Sequence, residues 1–170
     1  MTPQTAVAPA GIDLLLALEE LRTLKARYWR YVDTKRWEAF GALFAPDATF
    51  TDHSAGFSCE GRDGIVSGIS GVLDEITTMH QGQQSELEVL GPDDARGIWA
   101  MQDYLVFPDG VPHPTNPQPV QSLRGWGHYV ERYVRIDGAW RFRSIDLHRL
   151  RLETTTVAHT PYPPDFTLDG

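Results

Sequence analysis

The stretch that decides the fold is residues 123–151, LRGWGHYVERYVRIDGAWRFRSIDLHRLR. It contains two long runs of alternating apolar and polar residues, 123–136 and 139–151, joined by Asp137-Gly138. An Asp-Gly pair between two alternating runs is a strong signal for a β-hairpin. We therefore predict two long antiparallel strands here.

The preceding segments extend this sheet. Residues 76–84, 85–90 and 97–107 are each predicted to form a strand, and residues 48–52 and 57–59 a short strand pair. The segment PDGVPHPTNPQP at 108–119 contains five prolines and is predicted to be a loop long enough to act as a rim or lid over a cavity.

The N-terminal third is predicted to be helical. Apolar residues recur at intervals of three and four over 12–32, which is typical of an amphipathic helix. Shorter helices are predicted at 35–44, ended by Pro46, and at the glycine-rich segment 62–73. Helices followed by an antiparallel meander indicate an α+β fold, with the helices packed on one face of a curved sheet.

Length and composition favour one globular domain. The chain has 170 residues, of which 41% are apolar and 22% charged, and a chain of this size can bury a sizeable core. We assign residues 11–155 to the domain, 1–10 to a flexible arm rich in Pro, Ala and Thr, and 156–170 to a C-terminal tail.

The charge and cysteine content limit the possible binding partners and the cellular compartment of the protein. The chain carries 15 Lys and Arg against 23 Asp and Glu, and no basic cluster could follow a phosphate backbone, so nucleic acid is not expected. The single Cys59 excludes an intrachain disulfide and fits a reducing compartment. No apolar run approaches the ~20 residues of a membrane span and no basic secretory start is present, so we expect a soluble cytoplasmic protein.

Cofactor and metal signatures are missing from the sequence. It contains no HExxH string, cysteine cluster, GxGxxG turn or Walker string. We therefore expect neither a metal nor a cofactor.

Three ionisable residues are candidates for a functional site: Asp103, His80 and Asp33. Asp103 shares a predicted strand face with Trp99, Met101 and Leu105, and an acid in such a row needs a partner. A His80–Asp103 pair across the sheet would satisfy both residues and orient the imidazole as a general base. Asp33 falls at the predicted end of the first helix, where the dipole disfavours a carboxylate and a protonated histidine would compensate it.

The chain resembles the SnoaL-like branch of the nuclear transport factor 2-like superfamily over about residues 12–153. The resemblance rests on the order of elements and on several strings: Arg27-Tyr28 with Asp33, Trp37, Leu43-Phe44-Ala45 with Asp47-Ala48, Gly97-x-Trp99, and Gly127-x-Tyr129-x-Glu131-x-Tyr133 before Asp137-Gly138-x-Trp140. It implies a cone of helices and mostly antiparallel sheet that encloses a pocket.

Within that branch the motifs look closest to the bile-acid 7α-dehydratases and scytalone dehydratase. The resemblance places a catalytic Tyr, Asp and His on Tyr28, Asp33 and His80, and the bile-acid enzymes also match Asp103 and Arg143. It implies that His80 removes a proton next to a carbonyl while Tyr28, with Asp33 or water, helps a hydroxyl leave. Ser and Asn of scytalone dehydratase fall near Gly127 and Tyr129, so its particular substrate is not implied.

The expected ligand is a small hydrophobic oxygenated molecule of polyketide, steroid or terpenoid type, as in secondary metabolism. Besides Arg143, the following residues are candidate substrate contacts: Trp29, Phe50, Asp52, Trp99, Trp126 and Tyr129.

Two other functions stay open. One is an isomerase or cyclase resembling ketosteroid isomerase, with Tyr28 as the oxyanion donor and Asp52 as the proton carrier. The other is a non-catalytic small-molecule binder, which would be favoured if His80 and Asp103 faced different environments.

The last two strands also bear on assembly and surface charge. Members of the family with this shape pair through the outer face of the sheet, where Tyr133, Ile145 and Leu147 are predicted to lie, so we expect a homodimer or homotrimer. The basic residues of the last strand other than Arg143, including Arg149, are interpreted as a solvated face.

Overall fold

The computed structural model describes residues 8–112 and 118–157. Three helices precede or interrupt the strands: α1 (Ile12–Asp33), α2 (Trp37–Gly41) and α3 (Arg62–Leu73). The six strands are β1 (Phe44–Asp52), β2 (Phe57–Glu60), β3 (Thr77–Val89), β4 (Asp94–Val111), β5 (Val120–Ile136) and β6 (Ala139–Thr155). The α+β prediction is confirmed, and the helices fall close to the predicted positions.

The strands form one sheet in the order β2-β1-β6-β5-β4-β3. Only the β1–β6 pairing is parallel, and the others are antiparallel. The β5–β6 hairpin turns at Asp137 and Gly138, whose φ angles are 51° and 77°, as a two-residue turn of this kind requires. The hairpin predicted from Asp137-Gly138 is confirmed.

Bulges curve the sheet. In β6, Phe142 pairs with Tyr133 and Ser144 with Arg132, so Arg143 is an extra residue; Leu150 is another, between Arg149 and Arg151. A third irregularity, between Gly82 and Ser85, lies in β3, which is one strand where the sequence predicted two. Bulges bend the strand and increase its twist, and here they wrap the sheet around the helices.

The Arg143 bulge changes which residues of β6 face inward. Before it Trp140 and Phe142 are buried, and after it Ile145 and Leu147 are, at 1% and 3% exposure. The prediction that Tyr133, Ile145 and Leu147 lie on the outer face is therefore wrong. Ile98 and Val130, which pair between β4 and β5, are exposed apolar residues of that face, and the homo-oligomer stays a prediction.

The predicted loop at 108–119 is shorter in the structure. β4 continues to Val111, so the first part of the predicted 108–119 loop belongs to a strand, and residues 113–117 lie outside the described part of the chain. The 1–10 arm and the 156–170 tail lie almost wholly outside it too. No helix among the described residues is long and apolar enough to cross a membrane.

A buried ion pair ties α1 to the sheet. Lys25 and Glu131 are fully buried and bonded to each other, and Tyr133 donates its hydroxyl to the same carboxylate. The Lys25 ammonium also lies 4.1 Å and 3.7 Å from the ring centroids of Tyr28 and Tyr129. Burial lowers the pKa of Lys25, and the charge of Glu131 opposes that shift.

We expect Lys25→Met to destabilise the fold by about 3–5 kcal/mol, because it leaves Glu131 buried without its cation. The double variant Lys25→Met/Glu131→Gln should recover part of this loss. Urea unfolding followed by circular dichroism measures both.

The control is Glu20→Gln, which removes an exposed ion pair between the same elements, Glu20 of α1 and Arg135 of β5. It should cost less than about 1 kcal/mol. Equal losses from Lys25→Met and Glu20→Gln would contradict a special role for the buried pair.

Candidate active site

A cavity of about 460 Å³ lies between the helices and the concave face of the sheet. Most of its lining is apolar. The apolar lining residues are Val32, Phe50, Ala55, Phe57, Ile69, Val72, Leu73, Ile76, Leu105, Phe107, Leu123, Leu147 and Leu152. Its polar lining residues are Tyr28, Asp52, Ser54, His80, Asp103, Tyr129 and Arg149. A mostly apolar cavity with a few convergent polar groups is the usual form of a small-molecule site.

His80 is held by Asp33. The ring Nδ1 of His80 lies 2.7 Å from Oδ1 of Asp33, and the backbone N–H of His80 donates to Oδ2 at 2.9 Å. Because a carboxylate only accepts hydrogen bonds, this contact assigns the ring proton to Nδ1. Nε2 is then the nitrogen with a free lone pair, and the His80 side chain, 8% exposed, lines the cavity.

The end of α1 explains this pairing. Asp33 is the last residue of α1, where the helix dipole disfavours a carboxylate. Three hydrogen bonds compensate it: those from His80 and one from the Thr78 hydroxyl at 2.8 Å. The histidine partner expected for Asp33 is therefore present. The expectation was of a protonated ring, and the contact requires a proton on Nδ1 only.

The predicted His80–Asp103 hydrogen bond is wrong. The two residues are directly opposite in the β3–β4 register, and both line the cavity, but Asp103 binds Arg149. Nη1 and Nη2 of Arg149 donate to the two carboxylate oxygens at 2.9 Å and 2.7 Å. Asp103 is 1% exposed, so a bidentate guanidinium is the partner that a buried carboxylate needs.

Arg149 takes the place in the cavity that the sequence analysis gave to Arg143. The bulge turns Arg143 outward, where it is 57% exposed and 3.9 Å from Asp47. Arg149 lies in phase with Ile145 and Leu147, inside the cone. The prediction that it lies on a solvated face is wrong. Burial would lower the pKa of Arg149, but hydrogen bonds and charge from Asp103 outweigh it and raise the pKa.

Asp52 completes this cluster. Its Oδ2 lies 3.5 Å from Nε of Arg149. Its Oδ1 accepts from the Ser54 backbone N–H at 2.9 Å, the Ser54 hydroxyl at 2.5 Å and the Ala55 N–H at 3.2 Å. The carboxylate is therefore held in the turn after β1.

Two tyrosines supply hydroxyl donors. Burial, followed by the charge of Glu131, raises the pKa of Tyr28 above its usual value, and a hydrogen bond with Tyr129 acts in the opposite direction. Burial and the neighbouring Tyr28 and Asp103 raise the pKa of Tyr129 as well. Both hydroxyls are therefore protonated at neutral pH. Because one of the two protons is used in the bond between them, the other is available to donate to an oxygen of a ligand.

The structure brings together only some of the predicted site residues. Six of them line the cavity: Tyr28, Phe50, Asp52, His80, Asp103 and Tyr129. Asp33 lies behind His80. Trp29 and Trp99 pack edge to face at 5.5 Å in the core, and Trp99 donates to Tyr133. Trp126 lies on the other face of β5 from Gly125 and Tyr129.

Sequence reasoning missed Arg149 and Lys25 for different reasons. Finding Arg149 required the position of the Arg143 bulge, which alternation alone does not give. Lys25, by contrast, lies in the same helical stripe as Leu21, Tyr28 and Val32, so its burial could have been read from the sequence. Among the described residues no cluster of three or more His, Cys, Asp or Glu side chains could hold a metal ion.

The family comparison identifies the fold and the class. The model of the SnoaL-like domain matches residues 13–146, and the chain belongs to this family, which has the nuclear transport factor 2-like fold. The family predicted from the sequence is confirmed.

Individual relatives carry names of several activities. A "probable cyclase" of Gibberella zeae is 26% identical over 145 residues, 78% of this chain and 91% of that protein. Hexachlorocyclohexane dehydrochlorinase type 3 of Novosphingobium barchaimii superposes with a TM-score of 0.73 at 20% identity, covering 91% of this chain and all of that one. A candidate scytalone dehydratase of Novosphingobium aromaticivorans gives a TM-score of 0.69 at 18% identity, covering 91% and 97%. The two solved structures, at 20% and 18% identity, share the fold of this chain.

Gly125 makes room for the Asp103–Arg149 pair. A Cβ at this position would lie 2.0 Å from Nη1 of Arg149 and 2.3 Å from Oδ1 of Asp103. We expect Gly125→Ala to separate the pair and destabilise the protein by about 1–3 kcal/mol. Thermal unfolding followed by calorimetry measures the loss.

Gly64→Ala is the matched control, because nothing lies within 4 Å of a Cβ there and the residue is in α3. It should be neutral or stabilise by up to about 1 kcal/mol. A Gly125→Ala protein as stable as Gly64→Ala would contradict the close approach.

Proposed function

We propose that the protein is a cofactor-independent acid/base enzyme, a lyase that dehydrates a small hydrophobic oxygenated polycycle of polyketide, steroid or terpenoid type. One observation carries the proposal: His80 lines an apolar cavity while its Nδ1 is bound to the Asp33 carboxylate. This arrangement fixes the tautomer and orientation of an imidazole and stabilises the imidazolium that forms when it accepts a proton.

The reaction follows from these groups. Nε2 of His80 removes a proton from the carbon next to a carbonyl, and the C–H electrons become the new C=C bond as the hydroxyl on the next carbon leaves. The proton on the imidazolium passes to the departing hydroxyl, which is released as water. His80 returns to its starting state, so protons and electrons balance without a cofactor.

Tyr28 and Tyr129 would stabilise the negative charge that develops on the substrate carbonyl oxygen. Both line the cavity and are protonated, and the hydroxyl whose proton is not used in the bond between them can donate to the substrate carbonyl oxygen. That hydrogen bond is strongest when the oxygen carries negative charge. Asp33 plays a different part from the one that the resemblance implied. Since its oxygens are bonded to Thr78 and His80 and it does not line the cavity, it positions the base and does not contact the leaving group.

The cavity supports an apolar substrate of two or more rings. Its lining is predominantly aliphatic and aromatic, and its only described lining cation, Arg149, is already bound to two carboxylates. A neutral ligand would leave these contacts intact. The names of the relatives are compatible with this, because dehydration, dehydrochlorination and cyclisation can each begin with removal of a carbon-bound proton.

A second candidate is a cyclase or isomerase. The "probable cyclase" relative favours it, and the same His80 could start either reaction. The version in which Asp52 carries the proton is less well supported, because Oδ1 of Asp52 accepts three hydrogen bonds within its turn and Oδ2 faces Arg149. A proton carrier must move between two carbon atoms, and this carboxylate is held.

A non-catalytic binder is the remaining alternative. It would be favoured if His80 and Asp103 faced different environments, but both line one cavity.

We expect His80→Ala to lower the rate of elimination by about 10²–10⁴-fold with little change in ligand affinity, because proton removal is a transition-state interaction. A suitable probe is 3-hydroxy-1-tetralone, a neutral two-ring β-hydroxyketone that loses water to give 1-naphthol, which is followed by absorbance. Deuterium uptake by 1-tetralone in heavy water measures the proton-removal step separately.

Asp33→Asn should give a loss of similar size, and His80→Ala/Asp33→Asn should be scarcely slower than His80→Ala, because the two residues act as a unit. A His80→Ala protein with the wild-type rate in both assays would refute the mechanism.

Asp52→Asn separates the two enzyme candidates. It should reduce elimination less than tenfold if His80 is the base, because Asp52 then serves the turn and Arg149 only. Tyr28→Phe is the comparison variant, and we expect a larger defect from it because it removes a donor to the substrate oxygen. An inactive Asp52→Asn protein that is correctly folded by circular dichroism would favour the isomerase mechanism.

A further inference from the structure

Lys35 is joined to His80 through two intervening side chains. Its ammonium donates to the Thr78 hydroxyl oxygen at 3.1 Å, and that hydroxyl donates to Oδ1 of Asp33 at 2.8 Å. The same Oδ1 is the atom that binds Nδ1 of His80. Because Lys35 occupies a lone pair of the Thr78 oxygen, the single hydroxyl proton is directed to Asp33.

The backbone at Lys35 does not favour a lysine. Lys35 has a φ of 57°, and its N–H bonds to the Val32 carbonyl while the Arg36 N–H bonds to the Tyr31 carbonyl. These two bonds form the Schellman motif that ends α1, in which the left-handed position is usually glycine. Glycine would thus suit the backbone of this turn better than lysine. The contribution of Lys35 is its side chain.

The charge of Lys35 bears on the base. A half-buried carboxylate with the imidazole as its only cationic neighbour would strongly favour the protonated imidazole, which cannot accept a proton from a substrate. A second cation near Asp33 offsets that attraction. Burial lowers the pKa of Lys35, and the charges of Asp33 and Asp74 oppose that shift.

We propose that Lys35 is a positioning residue that holds Asp33 in place through Thr78 and, as a second cation near that carboxylate, favours the neutral form of His80 that can act as a base. The inference deepens the proposed function and rests on it. The groups that face this chain of contacts are Asp33 of α1, the Trp37 ring at 5.8 Å from the ammonium, Asp74 after α3, and, on the cavity side of His80, Tyr28, Asp52, Asp103, Tyr129 and Arg149.

The test is the pH titration of the His80 ring by NMR, which needs no substrate. In Lys35→Met and in Lys35→Gly the midpoint should move to higher pH by roughly half a unit to one unit, because a nearby cation has been removed. Lys35→Arg keeps the charge, so the His80 midpoint in this variant should equal that of the wild type. Lys35→Gly should also melt at the same temperature as the wild type or higher, since glycine relieves the turn.

Arg36→Met is the matched control. Arg36 is the next cation in the chain, and its guanidinium lies over the Tyr31 ring at 5.2 Å, so its removal should leave the His80 midpoint unchanged. An unchanged midpoint in Lys35→Met would overturn the inference, as would an equal shift in Arg36→Met. Neither result depends on turnover, and loss of activity in His80→Ala would still support the proposed function in both cases.

Discussion

The site depends on the contact between the last residue of a helix and an edge strand of the sheet. Asp33 ends α1 where the helix dipole is unfavourable to a carboxylate, and β3 supplies the donors that stabilise it: the His80 backbone and ring, and the Thr78 hydroxyl. The same bonds orient the imidazole toward the cavity. A structural requirement of the helix end is thereby met by the residue that we propose as the base.

The curved sheet supplies the cavity and the charged pairs that the Asp33–His80 contact alone does not provide. Bulges in β6 curve the sheet around an apolar cavity and bring Arg149 to Asp103, deep in a wall where neither charge could remain alone. Beneath the two tyrosine rings, the buried Lys25–Glu131 pair fixes α1 against β5. These buried charges are therefore paired, which leaves Nε2 of His80 and one tyrosine hydroxyl proton to act on a ligand.

Much of the fold could be predicted from sequence, but the pairing within the site could not. Period and turn chemistry placed α1, α3 and the Asp137-Gly138 hairpin, and alternation put Asp103 on an inward face. Alternation fails at a bulge, however, because one extra residue exchanges the two faces. That exchange is why Ile145 and Leu147 were expected outside, whereas Arg143 was expected in the cavity from the family resemblance and the misplacement of Tyr133, in β5, is independent of the bulge. His80 was expected to pair with Asp103 because a buried carboxylate needs a partner, whereas the approach of a helix end to β3 cannot be anticipated from sequence.

The central claim is that Asp33 holds the imidazole of His80 with its proton on Nδ1 and its lone pair on Nε2. The most direct test is the pair of ¹⁵N chemical shifts of the His80 ring in the neutral state, compared between the wild type and Asp33→Asn. The account predicts a protonated Nδ1 and an unprotonated Nε2 in the wild type, and loss of that preference in the variant. A wild-type ring protonated on Nε2 would contradict it, because the nitrogen that faces the cavity could then accept no proton.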